Sequence, residues 1–216
     1  MSMRGLGAVL VLALLGAAGG FAVGHLLEDA PVAMAVAAPV PAADPSLPVD
    51  QPPTFAPDID YPSLLAGQEY KRHVLGQKGF QQWVYDAPWG WKPTIENGDP
   101  DEIRWRPADE PDVGGYSLRV KLVFEHKTKE EMVAQKLAAM QAGYDDVQIL
   151  GQTQDLLSFS YREPDTDVQR FNTFRWLSLP GSDEALFEMS VVGRAVDRDG
   201  LDDLMEQVSR SVHPVQ

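Results

Sequence analysis

The chain has 216 residues, a formal charge of −14 and no cysteine. Its acidic balance speaks against nucleic acid as a partner, because a polyphosphate is held by clustered Lys and Arg. The missing cysteine removes disulfides, thiol nucleophiles and lipid attachment through an N-terminal cysteine, so any membrane anchor must be a helix.

The run from Gly5 to Leu27, GLGAVLVLALLGAAGGFAVGHLL, carries no formally charged side chain over 23 positions. A bilayer core takes about 20 apolar residues, so residues 1–27 are expected to be a transmembrane signal anchor. Arg4 precedes the run, Glu28 and Asp29 follow it, and the next basic residue is Lys71. This asymmetry puts the N-terminus in the cytoplasm and the rest outside, at the cell membrane. The rival reading is a cleaved signal peptide, with Leu6 to Leu15 as its apolar stretch and Gly20-Phe21-Ala22 as its cleavage site, which makes the chain secreted. Gly16, Gly20 and Gly24 recur every fourth residue and would line one smooth strip for a homodimer, although an Ala/Gly-rich run also yields that spacing by chance.

From Glu28 the composition turns to Ala, Pro and Asp, with nine of the 17 prolines falling between Pro31 and Pro62. Such a stretch buries too little to fold, so 28–65 reads as a disordered, extended linker and 66–216 as one globular domain. Within the domain, period-two alternation predicts strands at 80–86, 103–106, 116–125, 146–151, 156–162, 170–179 and 185–193. Short connections between them imply antiparallel pairing. Two helices interrupt the strands. One is capped at Thr128, with Glu131 reaching back, carries Val133, Leu137 and Met140 on one stripe and ends at Gly143. The other spans about Gly200 to Val212, with Leu201, Leu204, Met205 and Val208 at helical spacing and Asp197 or Asp199 as its N-cap. The fold class is therefore α+β, an antiparallel sheet of about six to seven strands flanked by helices.

Several local motifs accompany this order: Gly79-Phe80, Pro88-Trp89-Gly90-Trp91, Tyr116-Ser117-Leu118, Gly143-Tyr144 and Val212-His213-Pro214. With them the region from about Tyr70 to Pro214 resembles the PsbP-like (PsbP/Mog-type) family, found in a photosystem II extrinsic protein and in exported or membrane-anchored actinobacterial proteins. The resemblance implies an α/β/α sandwich used for binding and assembly, and it brings no catalytic residue set. It also divides the stretch YDAPWGWKP: Trp91 takes the family's aromatic core position, and Trp89 the variable position of a tight turn.

No nucleophile elbow, phosphate loop, dinucleotide fingerprint or paired-histidine motif is present, so no catalytic residue, metal or cofactor is expected. His126 reads as a strand-end residue, and the acidic clusters at 99–102, 109–112 and 165–167 as solvated turns. One polar constellation stands out. Arg119 and Lys121 share one strand face, Ser158, Ser160 and Arg162 share another, and Arg175 interrupts an apolar strand. Brought together under a helix, these would form a cationic pocket for a carboxylate or phosphate; kept apart, they are a solvated sheet face with salt bridges. Trp89, as an exposed aromatic, is the other candidate binding residue. The expected function is a non-enzymatic, membrane-tethered, extracytoplasmic binding or assembly domain at the cell envelope, whose partner is an envelope protein or small ligand. The alternative is a carrier or sensor of a lipid or other apolar ligand.

Overall fold

The computed structural model describes residues 52–78, 80–95, 98–110 and 114–215. The apolar run at 5–27, its Gly16, Gly20 and Gly24 strip, and linker residues 28–51 lie outside them. Among the described residues, no helix is long and apolar enough to cross a membrane.

Among the described residues, ten strands and two helices follow in chain order. The strands are β1 (Tyr70–Gly76), β2 (Gln82–Pro88), β3 (Trp91–Ile95), β4 (Glu102–Pro107), β5 (Ser117–Leu122), β6 (Asp145–Gln152), β7 (Leu156–Arg162), β8 (Gln169–Leu177), β9 (Phe187–Gly193) and β10 (His213–Pro214). Helix α1 (Lys129–Gly143) lies between β5 and β6. Helix α2 (Arg198–Ser211) follows β9 through a short 3-10 turn, Ala195–Asp197. Strands β3-β4-β5-β9-β8-β7-β6 form one seven-stranded antiparallel sheet, and β1-β2-β10 a second sheet of three. The α+β class holds.

Each face of the large sheet has its own core. On one face Leu118, Val120, Phe187, Met189 and Val191 pack with Trp83 and Tyr85 of the small sheet and with Leu201, Leu204 and Val208 of α2. On the other, Leu157, Phe159, Phe174 and Trp176 pack under Met132 and Val133 of α1, with Leu137 and Met140 partly buried beside them. Strand β9 sits in the middle with all but one residue buried, as a central strand covered on both faces must.

Helix α1 begins as its sequence predicts. Thr128 accepts the Glu131 N–H, and the Glu131 carboxylate accepts the Thr128 N–H, which completes the capping box. Five expectations change. Strand β5 stops at Leu122 rather than 125, and His126, at φ 53°, is exposed and bonded to Glu184 Oε1 at 2.7 Å. Strand β1 carries one buried residue, Leu75, and an exposed Val74, so its alternation is too faint to read. Strand β3 carries Pro93, which is tolerated because β3 is an edge of its sheet. The chain after α2 does not continue the helix: His213 and Pro214 pair with Val84 and Trp83 of β2.

The fifth change concerns the start of the domain. Composition assigns 52–65 to the linker, yet the compact unit begins at Pro52. Ala56 bridges Val168, and Leu64 is buried in the core. The carbonyls of Ile59, Tyr61 and Pro62 all accept hydrogen bonds from Arg194. This strap lies so close to α2 that a Cβ on Gly200 would stand 2.3 Å from the Leu64 carbonyl oxygen. Pro62, which has no N–H to place, serves here through its carbonyl alone.

Candidate functional site

The register of the sheet decides what becomes of the polar constellation. Directly paired residues share a face, and neighbours along a strand take opposite faces. Arg119 pairs with Ser190, and Ser190 with Phe174, so these three stand on the α1 side with Lys121. Arg175 is next to Phe174 in sequence and therefore faces the other way. Leu156 pairs with Arg175 and Arg162 with Gln169, which places Ser158, Ser160 and Arg162 on the side of Arg175. The sheet thus separates the predicted cluster into two groups rather than gathering it.

The second group is used up in local structure. Arg162 pairs with Asp146 and Asp167, and Arg175 with Asp155 and the Ser209 hydroxyl of α2. Trp89 is exposed at the turn between β2 and β3, as expected, and the Lys71 ammonium lies 5.1 Å from its ring centroid. Trp91 is half-buried against the main core, 5.7 Å from the Tyr116 ring.

The first group is different, because α1 covers only part of its face. The helix has few apolar residues and spends them on β7 and β8, so the span between α1 and strands β4, β5 and β9 stays hollow. This cavity of about 330 Å³ has Arg104, Arg119 and Lys136 on its walls, together with the buried Ser117 and Ser190. Met140, Tyr144, Tyr161 and Phe174 give it an aromatic and aliphatic end. Tyr144 and Tyr161 meet edge to face at 4.5 Å. Asn172 also lines the cavity, but its Oδ1 is closed off from the open volume and has no hydrogen-bond partner among the described residues. Among the described residues, no carboxylate lines the cavity.

The charges around it form a chain. Arg119 bonds Glu102 Oε1 at 2.9 Å and Glu188 Oε1 at 2.5 Å; Lys121 reaches Glu102 at 3.5 Å; and Trp176 donates its indole N–H to Glu188 Oε2 at 2.9 Å. Lys136 of α1 stands apart. Its ammonium lies 4.3 Å from the centroid of Phe174, whose ring also has the Arg119 guanidinium 5.5 Å from its centroid. Among the described residues Lys136 makes no ion pair. Burial, helped by Arg119 and Lys121, holds Lys136 below the usual lysine range, against the opposing pull of Glu188 and Glu102. An ammonium desolvated beside two other cations is poised to accept an anion.

A second polar knot lies near the strap. Arg194 is fully buried and uses all five of its N–H groups: Nε and one Nη on Asp197, and the other three on the carbonyls of Ile59, Tyr61 and Pro62. Asp197 accepts the N–H groups of Arg194 and Leu64 as well. Asp197 does stand before α2, as predicted, but its side chain makes no capping bond to the helix; it is the counter-ion of Arg194. Nearby, the buried Arg170 pairs with the more exposed Asp58 and Glu163, and Arg106 faces Glu110.

Sequence reasoning found Arg119 and Lys121 but not Arg104, Lys136, Asn172 or the tyrosines. Lys136 was legible in part, since it lies one position before Leu137 on the apolar stripe of α1. Among the described residues, no group of three or more His, Asp or Glu side chains is placed to hold a metal ion. The chain matches no protein-family profile and no curated protein.

Proposed function

We propose that this protein is a non-enzymatic, extracytoplasmic binding domain of PsbP-like type, tethered to the cell membrane by residues 5–27, and that it binds a small anionic ligand in the cavity under α1. The observation that carries this reading is Lys136, a desolvated ammonium that makes no ion pair among the described residues, on the wall of a cavity that no described carboxylate lines. The volume is at the lower end of that of small-molecule sites. Its cationic and hydroxyl-bearing walls favour this reading over a carrier of lipid or another apolar ligand, which needs a dry apolar chamber.

Binding then depends on the protonation of Lys136. The groups that face it are Arg119 and Lys121 of β5, Glu102 of β4 and Glu188 of β9. The exposed Glu125, bonded to the Phe124 N–H, lies at the edge of the adjoining hollow. Because the pKa of Lys136 is depressed, its charge is lost as pH rises, earlier than for an ordinary lysine. Affinity for benzoate, measured by titration calorimetry on the full chain, is expected to fall as pH rises through that range and to drop at least about tenfold in Lys136→Gln at neutral pH. An affinity that is the same in Lys136→Gln and insensitive to alkaline pH defeats the reading.

A further inference from the structure

Lys136 lies where the cavity meets a second hollow. The two share the Arg119 and Lys136 side chains, and the outer one adds Lys121, Gln135 and the carboxylates Glu125 and Glu188. Neighbouring lysines have settled partners: Lys121 meets Glu102, and Lys127 the Gln135 side chain. Lys136 instead lays its Nζ on the Phe174 ring. Burial, with Arg119 and Lys121 of β5, holds this amine below the usual lysine range, although Glu188 and Glu102 pull the other way. More of it is neutral near physiological pH than in an exposed lysine. A neutral amine adds to carbonyl carbon, and desolvation beside other cations is the setting in which a lysine becomes such a nucleophile.

Arg119 supplies the second half of the site. Its guanidinium flanks the same ring, 5.5 Å from the centroid. The bonds to Glu102 and Glu188 take two of its five N–H groups, one on each Nη, and its side chain is 21 % exposed. A ligand carboxylate can share this guanidinium while the carbonyl carbon bonded to it stands at Nζ. Met140, Tyr144 and Tyr161 give the other end apolar surface. At roughly 30 Å³ for each non-hydrogen atom, the volume takes about ten of them, the size of an acid of about six carbons.

We infer that the Lys136 amine captures an α-oxo acid as an imine, with the carboxylate on Arg119 and an aliphatic body against Met140, Tyr144 and Tyr161. This rests on the reading of the cavity as an anion site and adds a covalent bond and a ligand class. The Nζ lone pair attacks the keto carbon, and the C–N bond forms as the carbonyl π bond breaks. The two amine hydrogens then leave with the keto oxygen as one water, which closes the C=N bond. The imine takes a proton from solvent, so positive charge returns beside Glu188 and next to the ligand carboxylate. A plain ketone lacks the carboxylate, and an α-hydroxy acid lacks the carbonyl.

The test is reductive trapping on the full chain, with α-oxoisocaproate and sodium cyanoborohydride, read by intact mass and by peptide mapping of the modified lysine. A single adduct is expected, at Lys136 and at least about tenfold above any other lysine. Methyl isobutyl ketone and α-hydroxyisocaproate should leave Lys136 unmodified, and benzoate should slow the trapping by competing for Arg119. Lys136→Arg should lose the adduct and keep benzoate binding. If benzoate binding depends on Lys136 but no adduct forms there, or adducts spread evenly over the lysines, the anion site stands and the imine falls. Ketone trapped as well as the oxo acid refutes the role of Arg119 in selecting acids. If benzoate does not bind and no adduct forms, the site and the inference fall together.

Discussion

Replacing Arg194 by alanine is expected to lower the free energy of unfolding by about 3–5 kcal/mol, the range for breaking one side of a buried ion pair. The reason is the company that Arg194 keeps. Its removal leaves the Asp197 carboxylate fully buried, with only two N–H groups, and frees three strap carbonyls at once. The acid dependence should change sign with the mutation. In the native protein the Asp197 pKa is depressed, with hydrogen bonds from Arg194 and from the Arg194 and Leu64 N–H groups outweighing the opposing effect of burial. Its contribution to stability is therefore present above the ordinary carboxylate range and lost as pH falls through that depressed pKa. In Arg194→Ala burial dominates and raises the Asp197 pKa, so the variant recovers stability as pH falls through the raised value. The gap between the two proteins in urea unfolding should narrow on acidification. Protease should cut the strap between Ile59 and Leu64 in the variant and spare it in the native chain. Equal stabilities at neutral pH, within about 0.5 kcal/mol, would mean that the strap is held without this pair.

Glu188→Ala is the second substitution with a large expected effect, about 2–4 kcal/mol, because Glu188 serves both the core and the site. One oxygen takes the buried indole N–H of Trp176 and the other the guanidinium of Arg119. Alanine orphans the first and half-unpairs the second. Glu188→Gln keeps an acceptor and removes only the charge, so its loss in stability should be smaller. It also makes the surroundings of Arg119 and Lys136 more positive, so affinity for benzoate should rise. Chemical unfolding and calorimetry on the two variants separate these roles. A Gln variant as unstable as the Ala variant, with an unchanged affinity for benzoate, would make Glu188 a core residue alone.

The parts of this fold that follow from local chemistry were legible in sequence. The capping box at Thr128 and the alternation in β5, β7 and β8 depend on neighbours in the chain, and the structure has them where the residues imply. What was not legible depends on pairing across the chain. Residues 52–65 look like linker because they are rich in proline and poor in apolar side chains, and they are ordered by an arginine about 130 residues away. Strand β3 was hidden by a proline that only an edge strand tolerates, and β1 by its mostly exposed side chains.

The site was half legible for the same reason. Alternation within one strand groups Arg119 with Lys121, but only the register between strands tells that Arg162 and Arg175 lie on the opposite face. Lys136 and Asn172 come from a helix and a strand far apart in sequence, and neither looks unusual alone. Their significance comes from burial: a desolvated lysine that makes no ion pair among the described residues lines one cavity together with Asn172.

The most direct measurement is amide chemical-shift mapping on the isotopically labelled full chain during titration with benzoate. Saturable shifts should concentrate at Ser117, Arg119, Lys136, Tyr144, Asn172 and Ser190, around the cavity under α1, and leave the Trp89 turn undisturbed. Shifts centred on Trp89 and Lys71, or none at concentrations where calorimetry detects binding, would contradict the assignment of this cavity as the binding site.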